Sequence, residues 1–440
     1  MTPVAVLTAT LRDRVRLSLR QGGRFHRLLE HLHDLEHLPP DGLGAYQAER
    51  LKWVIRRAAL HVPHYRQLFA RSGWSPDSFA GVDDLSRLPL LDKATVRARP
   101  ADFRDDRAWL AVPAHTSGST GTPLTVWRDF SAIIHENAMI WRQRGWFGVK
   151  PGDRIATLRG EIVAPPGQSA PPFWRLDRAA SELVLSSHHL APGHIPHYVE
   201  ALRRFGPAAL YAYPSSAAEF ARLLRDLRLE PPPLRAVFTA SETLRPEDAA
   251  LIAAVFRAPV VDRYGNAERT VAGGHCERLG YHLWTDATLV ELLPGSDGAG
   301  ELVGTPLHGR AMPLLRYRTG DLAVAGGSSC PCGRAFPLVS RIDGRLDPPL
   351  VLPDGRRLGR LDHIWKGIEH VAAGQIVQEA DLSVRLRLIP EPGFSARDRA
   401  RLEAQVRARL GPEIVIVIEE VDRLPRTAAG KFIAVVSHVA

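Results

Sequence analysis

Apolar residues along 51–60 recur at helical spacing and give way near Pro63, which predicts a helix ending there. Asp92-Lys93-Ala94-Thr95-Val96 predicts the start of another short helix, and residues 1–110 as a whole are expected to be mainly helical. From about 110 to 320 the pattern changes. Short β-rich runs at 154–158, 209–213, 235–239 and 259–262 alternate with amphipathic helix candidates at 215–227 and 245–256. Ser215 and Ser216 are expected to cap the first of those helices. Such alternation predicts βαβ units and a mostly parallel sheet. The proline-rich stretches 164–172 and 231–233 are expected loops. After 343 comes a compact tail with strands at 382–389 and 414–419 around a helix at 396–410. The expected fold is therefore α/β. A large N-terminal domain (1–110 mainly helical, 111–343 as its core) carries mostly parallel sheets and helices, and a small mobile α+β domain spans 344–440.

Composition narrows the classes. The 440 residues are 45% hydrophobic and 24% charged, which excludes a disordered chain, a collagen and a coiled coil. The length exceeds what one ordinary core fills. No apolar stretch approaches the ~18–20 residues of a membrane span. The N-terminal stretch alternates leucine with arginine and holds no signal-peptide core, so a cytoplasmic location and no membrane partner are expected. The net charge is +9, and 52 of the 57 basic residues are arginine. The arginines are scattered among acids, as codon bias in a GC-rich genome would leave them, so nucleic acid is not the expected partner. A basic surface still favours anionic small molecules.

One local motif stands out: His115-Thr116-Ser117-Gly118-Ser119-Thr120-Gly121-Thr122-Pro123. Glycines let the backbone approach a ligand and turn several N–H groups toward one point, and the hydroxyls add donors for phosphate oxygens. No Gly-Lys-Ser/Thr follows, so it is not a Walker loop. By itself the stretch is also compatible with an ordinary Ser/Gly turn.

Other segments follow in order: 239–244 (Thr-Ala-Ser-Glu-Thr-Leu), 264–268 (Tyr-Gly-Asn-Ala-Glu), 317–321 (Tyr-Arg-Thr-Gly-Asp), 344–347 (Gly-Arg-Leu-Asp) and 425–431 (Pro-Arg-Thr-Ala-Ala-Gly-Lys). Together with the hydroxyl-rich stretch, this series resembles the adenylate-forming superfamily of acyl-CoA synthetases and adenylation domains. The start at 61–66 and the segment Cys330-Pro331-Cys332-Gly333-Arg334 resemble the phenylacetate–CoA ligase type, while 352–357 in the tail resembles its capsule-biosynthesis relatives more.

The resemblance implies roles. Thr116, Ser117, Gly118, Ser119, Thr120 and Gly121 would hold ATP phosphates. Ser241 and Glu242 would lie beside the adenine, and Tyr264 with Gly265 would offer it a flat face. Asp321 would accept the ribose hydroxyls, Arg345 would reach the ribose or α-phosphate, and Asp347 would be the hinge of a rotating lobe. Glu268 would be an Mg²⁺ ligand, and Lys431 would neutralise charge as a carboxylate attacks ATP. Trp141, Tyr213, Phe238, Ala240 and Asn266 are expected around the acid, which favours an aryl or cyclic acid. The implied activity is ATP-dependent, AMP-forming activation of a carboxylic acid, with transfer to coenzyme A or another thiol such as a carrier protein. An amine acceptor, an oxyanion such as nitrite and a non-catalytic nucleotide-binding homologue are the alternatives, and a homodimer is left open. Three departures from the family pattern bear on this: Thr122 where lysine is common, Ala267 where threonine is common, and Pro348-Pro349 with no segment of the kind that shapes a thioester-forming site.

All three cysteines fall into one constellation: Cys276, Cys330 and Cys332, with His282 as a fourth ligand, fit a closed structural zinc site. Three metal-free thiols, and His275 as the nitrogen ligand instead, are the competing expectations. A zinc-containing nucleic-acid binder is a remote further class.

Overall fold

The computed structural model describes residues 14–15, 17–79, 81–115, 124–165, 167–294, 298–327, 329–343, 350–358, 361–365, 367–422, 424 and 435–439. Helices build the first hundred residues: α1 (Phe25–Glu36), α2 (Pro40–His61), α3 (Pro63–Ser72) and the short α4 (Lys93–Ala98). The stop expected near Pro63 is a corner. Proline lacks the N–H that the first turn cannot use, so Pro63 opens a new helix directly after the old one. Asp92 caps α4, its Oδ1 accepting the Thr95 N–H at 2.7 Å.

The chain then forms β1 (Ala111–His115) and β2 (Thr125–Asp129), antiparallel with His115 opposite Thr125. Asp129 caps α5 (Phe130–Trp146) through the Ala132 N–H at 3.0 Å. Next come β3 (Ile155–Arg159), β4 (Trp174–Asp177), β5 (Glu182–Ser186), α6 (Ile195–Phe205), β6 (Ala209–Ala212), α7 (Pro214–Asp226), β7 (Ala236–Ala240), α8 (Pro246–Phe256) and β8 (Val260–Gly265). Strands β5, β3, β6, β7 and β8 lie side by side in parallel. All but β5 are the β-rich runs seen in the sequence, and β7 is buried at every position because helices cover both faces.

The same sheet continues antiparallel through β9 (Ala272–His275), β10 (Tyr281–Leu283), β11 (Thr288–Pro294), β12 (Ala299–Pro306), β13 (Tyr317–Ala325) and β14 (Leu338–Asp343). The mostly parallel sheet of the sequence expectation is thus a five-stranded block within a mixed sheet of twelve. The core under that block joins β3, β5, β6 and β7 to α6, α7 and α8, while a second core packs α2, α3 and the short N-terminal turns on Leu314, Leu315 and Tyr317.

Beyond Leu350, β15 (Leu350–Val351) and β16 (Arg357–Leu358) precede a separate sheet. It contains β17 (Val371–Gln378), β18 (Val384–Pro390), β19 (Ile416–Glu420) and β20 (Val435–Ser437), in the order β19-β18-β17-β20. Helix α9 (Ala396–Leu410), with a Ser395–Asp398 capping box, lays Leu402, Val406 and Leu410 on that sheet at a spacing of four. The buried members of this core all lie between Leu350 and Val435. Among the described residues no helix is long and apolar enough to cross a membrane.

Candidate functional site

A cavity of about 1370 Å³ opens at the carboxyl ends of β3, β6, β7 and β8, where open α/β sheets characteristically bind ligands. Its lining includes Ser241, Glu242, Trp141, Tyr264, Gly265, Asn266, Glu268 and Asp321, so eight expected site residues share one space. They come from elements up to 180 residues apart.

One end is built by β8, β13 and the turn after β7. Ser241 has φ of 78°, a left-handed conformation that a serine holds only when its surroundings demand it, and it turns the chain sharply into the cavity. Glu242 reaches across to accept the Ser215 N–H at 3.0 Å, so it caps α7. The sequence expectation put that cap on Ser215 or Ser216. In the structure Tyr213 occupies the N-cap position, Pro214 starts the helix, and the carboxylate comes from a different strand. The Tyr264 hydroxyl donates to Asp321 Oδ2 at 2.6 Å. Burial and the Asp321 carboxylate push this phenol well above its ordinary pKa, so it remains a donor and holds Asp321 in place. Tyr317 does the same for Glu268, donating to Oε1 at 2.9 Å. Asn266 Oδ1 accepts the Thr270 N–H at 2.9 Å, so its side chain shapes the turn that presents Glu268. Val112, Ala114 and Arg128, from β1 and β2, line the same cavity, and Arg128 donates to the Ala267 carbonyl at 2.6 Å. Residues Thr116, Ser117, Gly118, Ser119, Thr120, Gly121 and Thr122 lie outside the described residues, as do Arg345, Asp347 and Lys431.

The other end is made by α5, β3, β6 and β8, and it is more polar than expected. Of the anticipated aromatic walls, Trp141 lines the cavity. Phe238 and Ala240 are buried beneath it, and Tyr213 faces a small cleft beside His188. In their place stand Arg144, Arg159, Arg263 and Tyr211. The Arg144 and Arg159 guanidinium groups sit 5.3 and 4.9 Å from the centre of the Tyr211 ring, and Arg263 is hydrogen-bonded to its hydroxyl. Burial raises the Tyr211 pKa, but the three cations outweigh it and bring the phenol down to about 8. Around them Glu182 accepts the Thr157 hydroxyl, and Glu136 is ion-paired with Arg269. Asp262 takes hydroxyls from Thr239 at 2.8 Å and Tyr281 at 2.9 Å, and burial raises it to about 6. The sequence expectation passed over these arginines as part of a scattered majority. The available signal was the charged pair Asp262-Arg263, placed inside the β8 run just before Tyr264.

Away from the cavity, Cys276, His282, Cys330 and Cys332 gather their ligand atoms within 4.8 Å of one another. Cys276 Sγ lies 3.6 Å from Cys330 Sγ, and Cys332 Sγ lies 3.3 Å from His282 Nε2. The edges of a tetrahedron around zinc are about 3.5–3.8 Å, so the set could hold such an ion. His282 Nδ1 donates to the Phe336 carbonyl at 2.9 Å, which leaves Nε2 as the ligand atom. Gly280 is required here, because a Cβ would come within 2.8 Å of Cys330 Sγ. His275 is elsewhere: its Nδ1 accepts the Asp262 N–H at 3.1 Å and its ring borders the cavity.

Known proteins resemble this chain in sequence and in fold. The model of the CapK C-terminal domain matches residues 350–438. A phenylacetate-coenzyme A ligase of Thermus thermophilus is 29% identical over 339 residues, covering 72% of this chain and 74% of the relative. The protein CapK of Staphylococcus aureus is 24% identical over 244 residues, 54% of each chain. Among solved structures, a 2-hydroxyisobutyryl-CoA ligase bound to its acyl-adenylate and CoA superposes with a TM-score of 0.59 at 21% identity, covering 92% of both chains, which establishes a shared fold.

Proposed function

We propose that this chain, a homologue of the phenylacetate-coenzyme A ligases with a CapK-type C-terminal segment, is an adenylate-forming acid–thiol ligase. One observation carries the reading: Tyr264, Glu268 and Asp321, from segments some fifty residues apart in the chain, face a single cavity at the carboxyl edge of the parallel strands. A carboxylate oxygen attacks the α-phosphorus of ATP. A P–O bond forms, the bond to the β-phosphate breaks, and pyrophosphate leaves with the electron pair. A thiolate, that of coenzyme A or of a carrier protein, then attacks the acyl carbon. The C–S bond forms and AMP departs.

The chain's residues divide that work. Tyr264 presents its ring to the adenine and its hydroxyl to Asp321, which is thereby aimed at the ribose. Glu268, held by Tyr317, is the residue to bind Mg²⁺, which would neutralise phosphate charge. Thr116 through Thr120, together with Lys431, are assigned the phosphates and the developing charge. Residues 344–440 are the lobe that would carry Lys431 in and out, hinged at Asp347. Cys276, His282, Cys330 and Cys332 would hold a zinc ion in a structural role, since four protein ligands would leave no site for catalysis.

The test is acid-dependent exchange of labelled pyrophosphate into ATP. Lys431→Ala is expected to cut the rate by about 10²–10³-fold, and Glu268→Gln to raise the Mg²⁺ requirement. Exchange unaltered by both substitutions overturns the assignment. Mass spectrometry of products formed with coenzyme A against simple amines decides the acceptor, and a thioester is expected.

A further inference from the structure

Arg144, Arg159 and Arg263 meet around one phenol in the cavity, and among the described residues none of the three makes an ion pair. Arg144 is buried and the other two are half-buried, and the three arginines buried elsewhere among the described residues are treated differently. Arg142 is bound to Asp286, Arg316 to Glu291, and Arg334 to Glu277 and Glu36. A guanidinium does not shed its proton, so one as buried as Arg144 is unfavourable when unpaired unless something supplies a counter-charge.

Arg144 is the clearest case. It is nine-tenths buried, and its side chain has no hydrogen-bond partner among the described residues. Three rings hold it: Trp141 at 4.7 Å, Tyr211 at 5.3 Å and Phe238 at 5.9 Å. Rings fix a guanidinium in place while leaving its N–H groups free for another acceptor. Arg159 is held in the same way by Tyr211 and Tyr213, each 4.9 Å away. Among the described residues its side chain makes one hydrogen bond, a long one to the Tyr213 hydroxyl at 3.4 Å. Of the nearby acids, Glu136 is paired with Arg269 and Glu161 with Arg175, while Glu182, which accepts the Thr157 hydroxyl, keeps its negative charge near Arg144. Tyr211 and Glu182 together leave the corner positive.

We infer that the acid this enzyme activates bears a second anionic group, a carboxylate, sulfonate or phosphate, which Arg144, Arg159 and Arg263 bind. The inference rests on the ligase reading and deepens it. The reacting carboxylate lies toward Glu268 and the nucleotide, and the second anion sits at the opposite end beside Tyr211. Trp141 and Ile155, which also line this end, cover the body between the two charges. A substrate with one charge leaves the excess positive charge of this corner unbalanced. A site built this way therefore rejects a monoanionic isostere far more strongly than an apolar pocket rejects a missing methylene.

The test pairs acids of the same skeleton with and without a second anionic group in the exchange assay: glutarate against pentanoate, terephthalate against 4-methylbenzoate, 3-sulfopropanoate against butyrate, and 3-phosphoglycerate against glycerate. At least one dianion is expected to exceed its monoanionic partner in kcat/KM by about 10²-fold or more, and the best pair identifies the second group. Arg144→Met and, separately, Arg159→Met should raise KM for the dianion with a smaller change in kcat, collapsing the preference, while Arg144→Lys recovers part of it. Calorimetry with the dianion alone, without nucleotide, gives an independent readout. Arg144-dependent heat with no exchange for any acid preserves the anion site and removes the ligase reading. Exchange that favours monoanions, or a preference untouched by both methionine variants, removes the anion site and preserves the ligase.

Discussion

Arg142 and Arg144 stand two residues apart on α5, about 200° around the helix axis, and meet opposite worlds. Arg142 has no exposed surface, binds Asp286 through two nitrogens, donates to the Leu32 carbonyl at 3.3 Å and lies 3.8 Å from Glu36. Trp146, Trp284 and Phe336 enclose it. Arg144 is nearly as buried and as ringed by aromatics, yet among the described residues no carboxylate pairs with it. Burial and aromatic contact therefore do not distinguish an arginine that holds the fold from one that waits for a ligand. The counter-charge does.

The sharpest way to break the contrast is Arg142→Met. It strands Asp286, which is also fully buried, as an uncompensated charge, and the expected loss is about 3–5 kcal/mol. Replacing both partners, with Asp286→Leu added, should recover much of it, because two matched apolar groups avoid the desolvation that the ion pair must overcome. Urea unfolding of the three proteins measures this. A loss under about 1 kcal/mol for the single variant means that Arg142 is not the structural member of the pair.

The paired face continues to the cysteine–histidine cluster. Arg334, two residues past Cys332, binds Glu277 and lies 3.4 Å from Glu36, which the Arg142 and Arg334 charges and a His33 hydrogen bond hold below its ordinary pKa despite burial. Zinc removal is expected to loosen this side. With metal present at 100 to 1,000 times its dissociation constant, chelation should lower stability by about 3–4 kcal/mol. Melting with and without a chelator, alongside elemental analysis giving one zinc per chain, is the check. Unchanged melting with no metal in the reduced protein would leave three plain thiols.

How far the sequence reached differs between the two faces for the same reason. Strands β3, β6, β7 and β8 were visible as apolar runs because both their faces are covered, and α9 matched its amphipathic pattern at 396–410 to the residue. The positions of Tyr264, Glu268 and Asp321 could be anticipated because the motifs fix their local turns. The cysteine cluster was anticipated because sulfur ligands are few. By contrast, pairing is a long-range property. Nothing near Arg142 in the chain marks Asp286 as its partner, and nothing near Arg144 marks the lack of one. Periodicity marks a side chain as inward-facing, and only the fold decides whether a carboxylate stands opposite. The same gap hid the capping of α7 by Glu242 and left Phe238 and Tyr213 as expected walls of a space they do not line.

Tyr211→Phe probes the unpaired corner by pH. The Tyr211 phenol titrates near 8, below its ordinary value of 10. The folded state therefore favours the phenolate, and this contribution is present above about pH 10 and lost as pH falls through 8. Two units set an upper bound of about 2–3 kcal/mol, so the wild-type protein should gain on Tyr211→Phe steadily between pH 8 and 10 and run parallel to it below. A flat difference across that window would mean that Arg144, Arg159 and Arg263 do not act on Tyr211 together.

The smallest expected effect sharpens the comparison most. Arg144→Met removes contacts with three rings, each worth about 0.5–1 kcal/mol at partly exposed sites. It also removes the desolvation of an unpaired cation and its repulsion from Arg159 and Arg263, which together act to lower the Arg144 pKa to about 10. Methionine fills a similar volume and keeps the apolar packing on Trp141. The opposing contributions leave a net change within about 1 kcal/mol of either sign, against about 3–5 kcal/mol for the same substitution two residues earlier. Urea midpoints of the two variants, taken side by side at pH 7, measure the gap. A gap of several kcal/mol assigns Arg142 to the fold and frees Arg144 for a ligand, because a side chain that stabilises nothing yet stays buried and charged needs a partner from outside the chain. Equal losses would show that Arg144 has a structural partner after all, and the argument for an anion at this end of the cavity would lose its foundation.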